Sequence, residues 1–121
     1  MTVDDSRAVR QMVALALKNT GHRIIEAENG EKALQMLNSE RIDLIFCDFN
    51  MPGMDGGQLV RQIKSNPEFV TIPVIMLTTE TARGRLSEAR EAGAIGWINK
   101  PFKAEKLVSA VQALSEKFNL V

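Results

Sequence analysis

Asp4-Asp5, Asp48, Thr78 and Lys100 lie far apart in the chain, yet each stands at the end of a short apolar run or just beyond it. Asp48 ends Leu44-Ile45-Phe46-Cys47 and is followed by Phe49-Asn50-Met51-Pro52-Gly53-Met54-Asp55-Gly56-Gly57, a string rich in residues that break regular structure. Three carboxylates brought together repel one another and raise at least one pKa unless a cation compensates. The donors on offer are all oxygens, with no His or Cys nearby, so the set suits a hard divalent ion: Mg²⁺ in the first place, Mn²⁺ as a substitute, and either better than zinc. Lys100 adds a positive point charge and Thr78 a hydroxyl donor. Carboxylate, metal, ammonium and hydroxyl are the parts that phosphoryl transfer needs, because its catalysis is mostly positioning and charge stabilisation. Asp48 is the nucleophile candidate, since it stands alone at the end of a buried run, whereas adjacent Asp4 and Asp5 look like a metal-holding pair. The breakers after Asp48 turn the chain away at once, and Asn50 can offer its backbone carbonyl to the metal.

For these groups to meet, the elements between them must return each run to the same edge. Val9, Met12, Val13, Ala16 and Leu17 fall on one helical stripe between Ser6 and Asn19, with Gly21 placed for a left-handed cap. The run 22–27 reads as a strand, and Asn29-Gly30 opens a helix reaching about Asn38. The alternation continues with a strand over 43–47, a helix over 57–65 ended by Asn66-Pro67, and a strand over 73–77. A helix over 82–92 with Gly93 as its cap, a strand over 94–98 and a helix over 103–118 complete it. Continuous apolar strands separated by amphipathic helices imply an α/β domain, a parallel sheet covered on both faces, and such sheets gather their chemistry beyond the carboxyl ends of the strands. The first strand, Met1-Thr2-Val3, is short for the class.

Composition narrows the partners. A length of 121 residues and 45% hydrophobic content suit one domain with one core. Fifteen basic and fifteen acidic residues leave no net charge, so neither nucleic acid nor a membrane surface is an expected partner. No run is long and apolar enough to span a bilayer, and the first residues have no signal-peptide pattern. The single cysteine excludes an internal disulfide and suits a reducing compartment, so the expected location is the cytoplasm. Cys47 alternates with core positions and reads as a small buried hydrophobe, the methionines as core filler, and His22 as a solvated turn residue.

Taken singly, Asp48 could be an ordinary strand-end acid and Lys100 a solvated lysine. Together, Asp4-Asp5-Ser6, Asp48 within DFNMPGMDG, Thr78 in MLTTE and Lys100 in NKPF resemble the receiver domain of two-component response regulators, in order and spacing throughout the chain. The resemblance implies a flavodoxin-like (βα)5 doubly wound sheet of strand order 2-1-3-4-5, spanning residues 1–121 as one receiver. It implies that Asp48 accepts a phosphoryl group from a sensor histidine kinase. Asp5, Asp48 and the Asn50 carbonyl would then ligate the metal, with Asp4 acting through its waters. Lys100 and Thr78 would contact the phosphoryl group, and a cis peptide would join Lys100 to Pro101. The family's switch pairs that threonine with an aromatic residue on strand five, and here Trp97 takes the place. NMPGMDG, TTE and GW before NKPF look most like the single-domain chemotaxis type, which docks through the fourth helix, last strand and fifth helix. That type implies a flagellar motor switch protein and a phosphatase as partners, with a monomeric chain. Trp97, Glu80 and Arg83 are the candidate surface residues, although the last two also read as an ordinary charged helix face.

Receivers usually begin strand one several residues earlier, so a truncated start is the expectation for this chain. Such a chain is a signalling switch rather than an enzyme. Two nearer alternatives are a phosphorelay intermediate and a receiver fragment of a larger transcriptional regulator. An aspartate-nucleophile phosphatase is more distant, because those enzymes usually carry a second Asp where Asn50 stands.

Overall fold

The structure is a computed structural model that describes residues 1–79 and 84–117. Its elements alternate without exception: β1 (Thr2–Val3), α1 (Arg7–Ala16), β2 (Glu26–Ala27), α2 (Gly30–Ser39), β3 (Ile45–Asp48), α3 (Gly56–Ser65), β4 (Val74–Thr78), α4 (Leu86–Ala92), β5 (Gly96–Asn99) and α5 (Ala104–Lys117). All strand pairs are parallel, in the order β2-β1-β3-β4-β5 that the resemblance implies. Successive strands are therefore laid outward in opposite directions from β1 and β3, and the crevice between these two is the place where ligands collect in open α/β sheets.

Side-chain alternation along the strands divides the core into two layers. Val3, Ile45, Cys47, Val74 and Met76 pack with Ala33 and Leu37 of α2, Leu59, Val60 and Ile63 of α3, and Ala89 of α4. Phe46, Ile75 and Leu77 face the other way, onto Val13 of α1 and Leu107, Val111 and Leu114 of α5. Helix starts are written locally. Ser6 Oγ accepts the Val9 N–H at 3.3 Å, Asn29 Oδ1 accepts the Lys32 N–H at 2.8 Å, and Asp55 exchanges reciprocal bonds with Gln58 as a capping box. Gly93 ends α4 at φ +119°, in the left-handed region its position predicts.

Several boundaries differ from the sequence expectations. Asp48 and Thr78 are the last residues of their strands instead of lying beyond them. The first helix stops at Ala16, and residues 17–21 form turns in which Thr20 Oγ1 donates to the Leu17 carbonyl, so Gly21 at φ +83° ends those turns and not the helix. The second strand keeps only Glu26–Ala27 of the expected 22–27. Its neighbour explains this: β1 pairs only through Thr2 and Val3, and the ladder reaches back no further than the Ile25 carbonyl, which accepts the Thr2 N–H at 2.9 Å. A cavity of about 380 Å³ lies there at the amino ends of the strands, walled by Met1, Thr2, Ile24, Leu44, Phe46 and Val111, and His22 on its border is half-buried rather than fully solvated. Glu80, Arg83, the first part of the expected fourth helix and Phe118 lie outside the described residues.

Candidate functional site

β1 and β3 bring their carboxylates to the crevice. Asp4 follows β1 with 1% of its surface exposed, Asp48 ends β3 with 6% exposed, and Asp5 is exposed at the rim. One oxygen from each of the three lies within 4.8 Å of the others. Asp4 is fixed on two sides: Oδ1 accepts the Ser6 N–H at 2.9 Å, and Oδ2 accepts the Lys100 ammonium at 2.8 Å. The same ammonium donates to Asp48 Oδ1 at 3.0 Å. Lys100 is held by its backbone too, since its N–H donates to the Thr78 carbonyl at 2.7 Å; its peptide bond to Pro101 is cis.

Electrostatics follow from this burial. Loss of water around Asp48 raises its pKa to about 6; hydrogen bonding to Lys100 opposes the shift, and the neighbouring charges of Asp4 and Asp5 add to it. For Lys100, burial works against the charged form, but the bonds to Asp4 and Asp48 and their charges outweigh it, so its pKa is raised. Burial thus outweighs the Lys100 hydrogen bond at Asp48. Cys47, one residue earlier, is buried and its thiol is pushed far up, first by burial and then by Asp48, so it stays protonated and inert.

Close packing beneath the site depends on Gly56. A Cβ there would lie 2.5 Å from the Asp48 carbonyl oxygen and 2.8 Å from Phe49 Cα, while the Gly56 N–H donates to the Phe49 carbonyl at 2.8 Å. The string of breakers after Asp48 thus folds back against the strand it leaves. Thr78 is fully buried at the end of β4, and its hydroxyl donates to the Thr79 carbonyl at 3.2 Å. Asn50 is exposed, two residues past Asp48.

Trp97 sits apart on β5, 41% exposed, with the Arg90 guanidinium carbon 5.4 Å from its ring centre. Two neighbours of the site escaped the sequence reading. Asp55 was legible as the first residue of the capping box Asp55-x-x-Gln58. Arg85, which bonds to Asp55 across 30 positions, had no local signal.

Comparison with known proteins shows the family and the fold. The family model described as response regulator receiver domain matches residues 1–112. The chain is 35% identical to the chemotaxis protein CheY of Pseudomonas aeruginosa over 98% of its own length and 97% of that protein's. It is 36% identical to the phosphate regulon transcriptional regulatory protein PhoB of the same species, over 94% of this chain but 50% of that one. Among solved structures, that of the Vibrio cholerae chemotaxis protein CheY4 superposes with a TM-score of 0.87 at 37% identity, covering 93% of this chain and 94% of the other. The parallel sheet has acids at its switch point and Lys100, the residue after β5, bonded to two of them, and the family match makes it a receiver, a class of signalling domain. This chain belongs to the response regulator receiver family.

Proposed function

We propose that the chain spanning residues 1–121 is one receiver that takes a phosphoryl group onto Asp48 from the phosphohistidine of a sensor kinase. One observation carries this reading: the Lys100 ammonium lies 3.0 Å from an Asp48 oxygen and 2.8 Å from Asp4, in the crevice between β1 and β3. An Asp48 oxygen attacks phosphorus, the phosphorus–nitrogen bond to the histidine ring breaks, and the ring nitrogen keeps the electron pair. Lys100 would follow the charge from the carboxylate to a phosphoryl oxygen, and Thr78 would turn its hydroxyl from the Thr79 carbonyl to another.

The donor set fits a divalent ion. Three carboxylates against one ammonium leave an excess of negative charge, and every donor is an oxygen. Asp5, Asp48 and the Asn50 carbonyl would hold Mg²⁺, with Asp4 acting through water, and Mn²⁺ would suit the same oxygens. When bound, the ion neutralises charge that builds up on the phosphoryl oxygens. The test is incubation with acetyl phosphate and Mg²⁺. A single base-labile phosphoryl adduct, absent from Asp48→Asn, is expected; sustained hydrolysis of external monoesters would point to a phosphatase instead.

The output reading is a switch acting by docking, in chemotaxis, as a monomer in the cytoplasm. Similarity to chemotaxis proteins over nearly their whole length supports it. Trp97 and Ile95, both exposed after α4, would offer the docking face, and inward movement of Thr78 and Trp97 would alter it; Glu80 and Arg83 are proposed as partner residues on their sequence alone. A flagellar motor switch protein and a phosphatase are the proposed partners. The match to half of PhoB favours a second reading, a receiver module of a larger regulator, and a separate likeness, at 36% identity, to the solved receiver domain of a Syntrophus aciditrophicus signal transduction histidine kinase supports a relay role. Equal binding of a motor-switch peptide to phosphorylated and unphosphorylated chain would reject the chemotaxis switch, since a ligand that does not discriminate between states shifts no equilibrium.

A further inference from the structure

Arg85, at the start of α4, places its guanidinium on three groups at once. Nη2 donates to Asp55 Oδ2 at 3.2 Å and to Glu88 Oε2 at 3.1 Å, Nε donates to the same Glu88 oxygen at 3.3 Å, and Cζ lies 4.6 Å from the centre of the Phe49 ring. A lone exposed ion pair contributes little, but a planar fork shared by two carboxylates and laid over an aromatic ring is a network with a defined geometry.

The positions of its partners give this network a use. Phe49 follows Asp48 directly and is fully buried. Asp55 spends its other oxygen on the Gln58 N–H at 2.9 Å, capping α3. Arg85 therefore grips both ends of the segment that joins the candidate phosphoacceptor to α3, and does so from a different helix. One turn and a little more along that helix, Arg90 lies over Trp97 of β5.

We propose that Arg85 is a positioning residue that couples segment 49–55 to α4, so that a change of charge at Asp48 is passed to the α4 face. The proposal rests on the reading of Asp48 as the phosphoryl-accepting group. A shift of Phe49 or Asp55 changes the interactions that Arg85 makes, and such a difference in interaction between two states is what couples two sites.

The test uses the full chain, Mg²⁺ and beryllofluoride, a mimic of a carboxylate-bound phosphoryl group, with backbone amide chemical shifts as the readout. In the wild type, amides of 49–56 and of 86–92 should both shift. Arg85→Ala should keep the shifts at 49–56 and lose at least about half of those at 86–92. Asp55→Asn preserves the helix cap while removing the charge, and should do the same. The double variant should lose no more than either single one, the signature of a shared interaction, and Arg85→Lys should recover part of the response. Full shifts at 86–92 in Arg85→Ala, or additive losses in the double variant, would overturn the coupling. Wild-type shifts at 49–56 without any at 86–92 would overturn it alone. No shift at 49–56 in the wild type would reject the Asp48 reading, and the coupling with it.

Discussion

Lys100 and Asp48 meet at 3.0 Å although 52 positions separate them, and the same ammonium lies 2.8 Å from Asp4. The lysine side chain is only 15% exposed, and the two carboxylates less so. Removing Lys100 therefore strands two buried negative charges. Lys100→Ala should lower stability at neutral pH by about 2 kcal/mol, below the full loss of a sealed ion pair because the site opens to solvent. Urea denaturation measures it, and millimolar Mg²⁺ should restore part of the loss.

The raised pKa of Asp48 sets a pH dependence with a definite sign. Folded Asp48 titrates at about 6, whereas an unfolded Asp titrates near roughly 3.9. Between those values the folded protein retains a proton that the unfolded chain has lost. The stability linked to this group is therefore complete below the unfolded pKa and is lost as pH rises through 6. Metal-free Asp48→Asn has no such loss. At neutral pH it should be more stable than the wild type by about 1 to 2 kcal/mol, a figure already reduced for solvent screening. Near pH 4 the two should match. Thermal melts with chelator at both pH values decide it; a gap that does not narrow on acidification would refute the assignment.

Gly56 answers to geometry alone. Its missing Cβ would press on the Asp48 carbonyl and Phe49 Cα, both backbone atoms that cannot turn aside. Gly56→Ala should cost about 2 to 3 kcal/mol in denaturant titration and weaken Mg²⁺ binding, because relief of the clash moves the end of β3. Gly53→Ala makes a useful contrast: it meets nothing within 4 Å but sits at φ +76°, so its cost is local strain at a turn.

What the sequence disclosed follows from how each signal is stored. Asp48, Thr78 and Lys100 were legible because each closes an apolar run, and parallel strands must end at one edge. The sheet order came with the family resemblance, since periodicity says nothing about which strands are neighbours. The short β2 was not legible: its length depends on β1, a strand remote in sequence, and not on its own residues. Arg85 was hidden for a similar reason, as its partners Asp55 and Phe49 lie 30 and 36 positions away and no spacing rule links them. Local chemistry is written locally, whereas tertiary pairing is written only in the fold.

Asp4 and Asp5 are adjacent in sequence but should fail in opposite ways. Asp4 is buried and bonded to Ser6 and Lys100, so it supports the fold as well as the site. Asp5 is exposed at the rim, and its charge raises the Asp48 pKa. Asp4→Asn should therefore lower metal-free stability. Asp5→Asn should leave it unchanged or slightly raised, since it removes a repulsive charge and no buried partner. Mg²⁺ affinity should reverse the ranking for Asp5. Loss of a charged oxygen donor should weaken binding at least about tenfold, or ~1.4 kcal/mol, seen as a smaller Mg²⁺-induced rise in Tm. An Asp5→Asn chain that melts early without metal yet binds Mg²⁺ as well as the wild type would show that the two acids had been assigned the wrong way round.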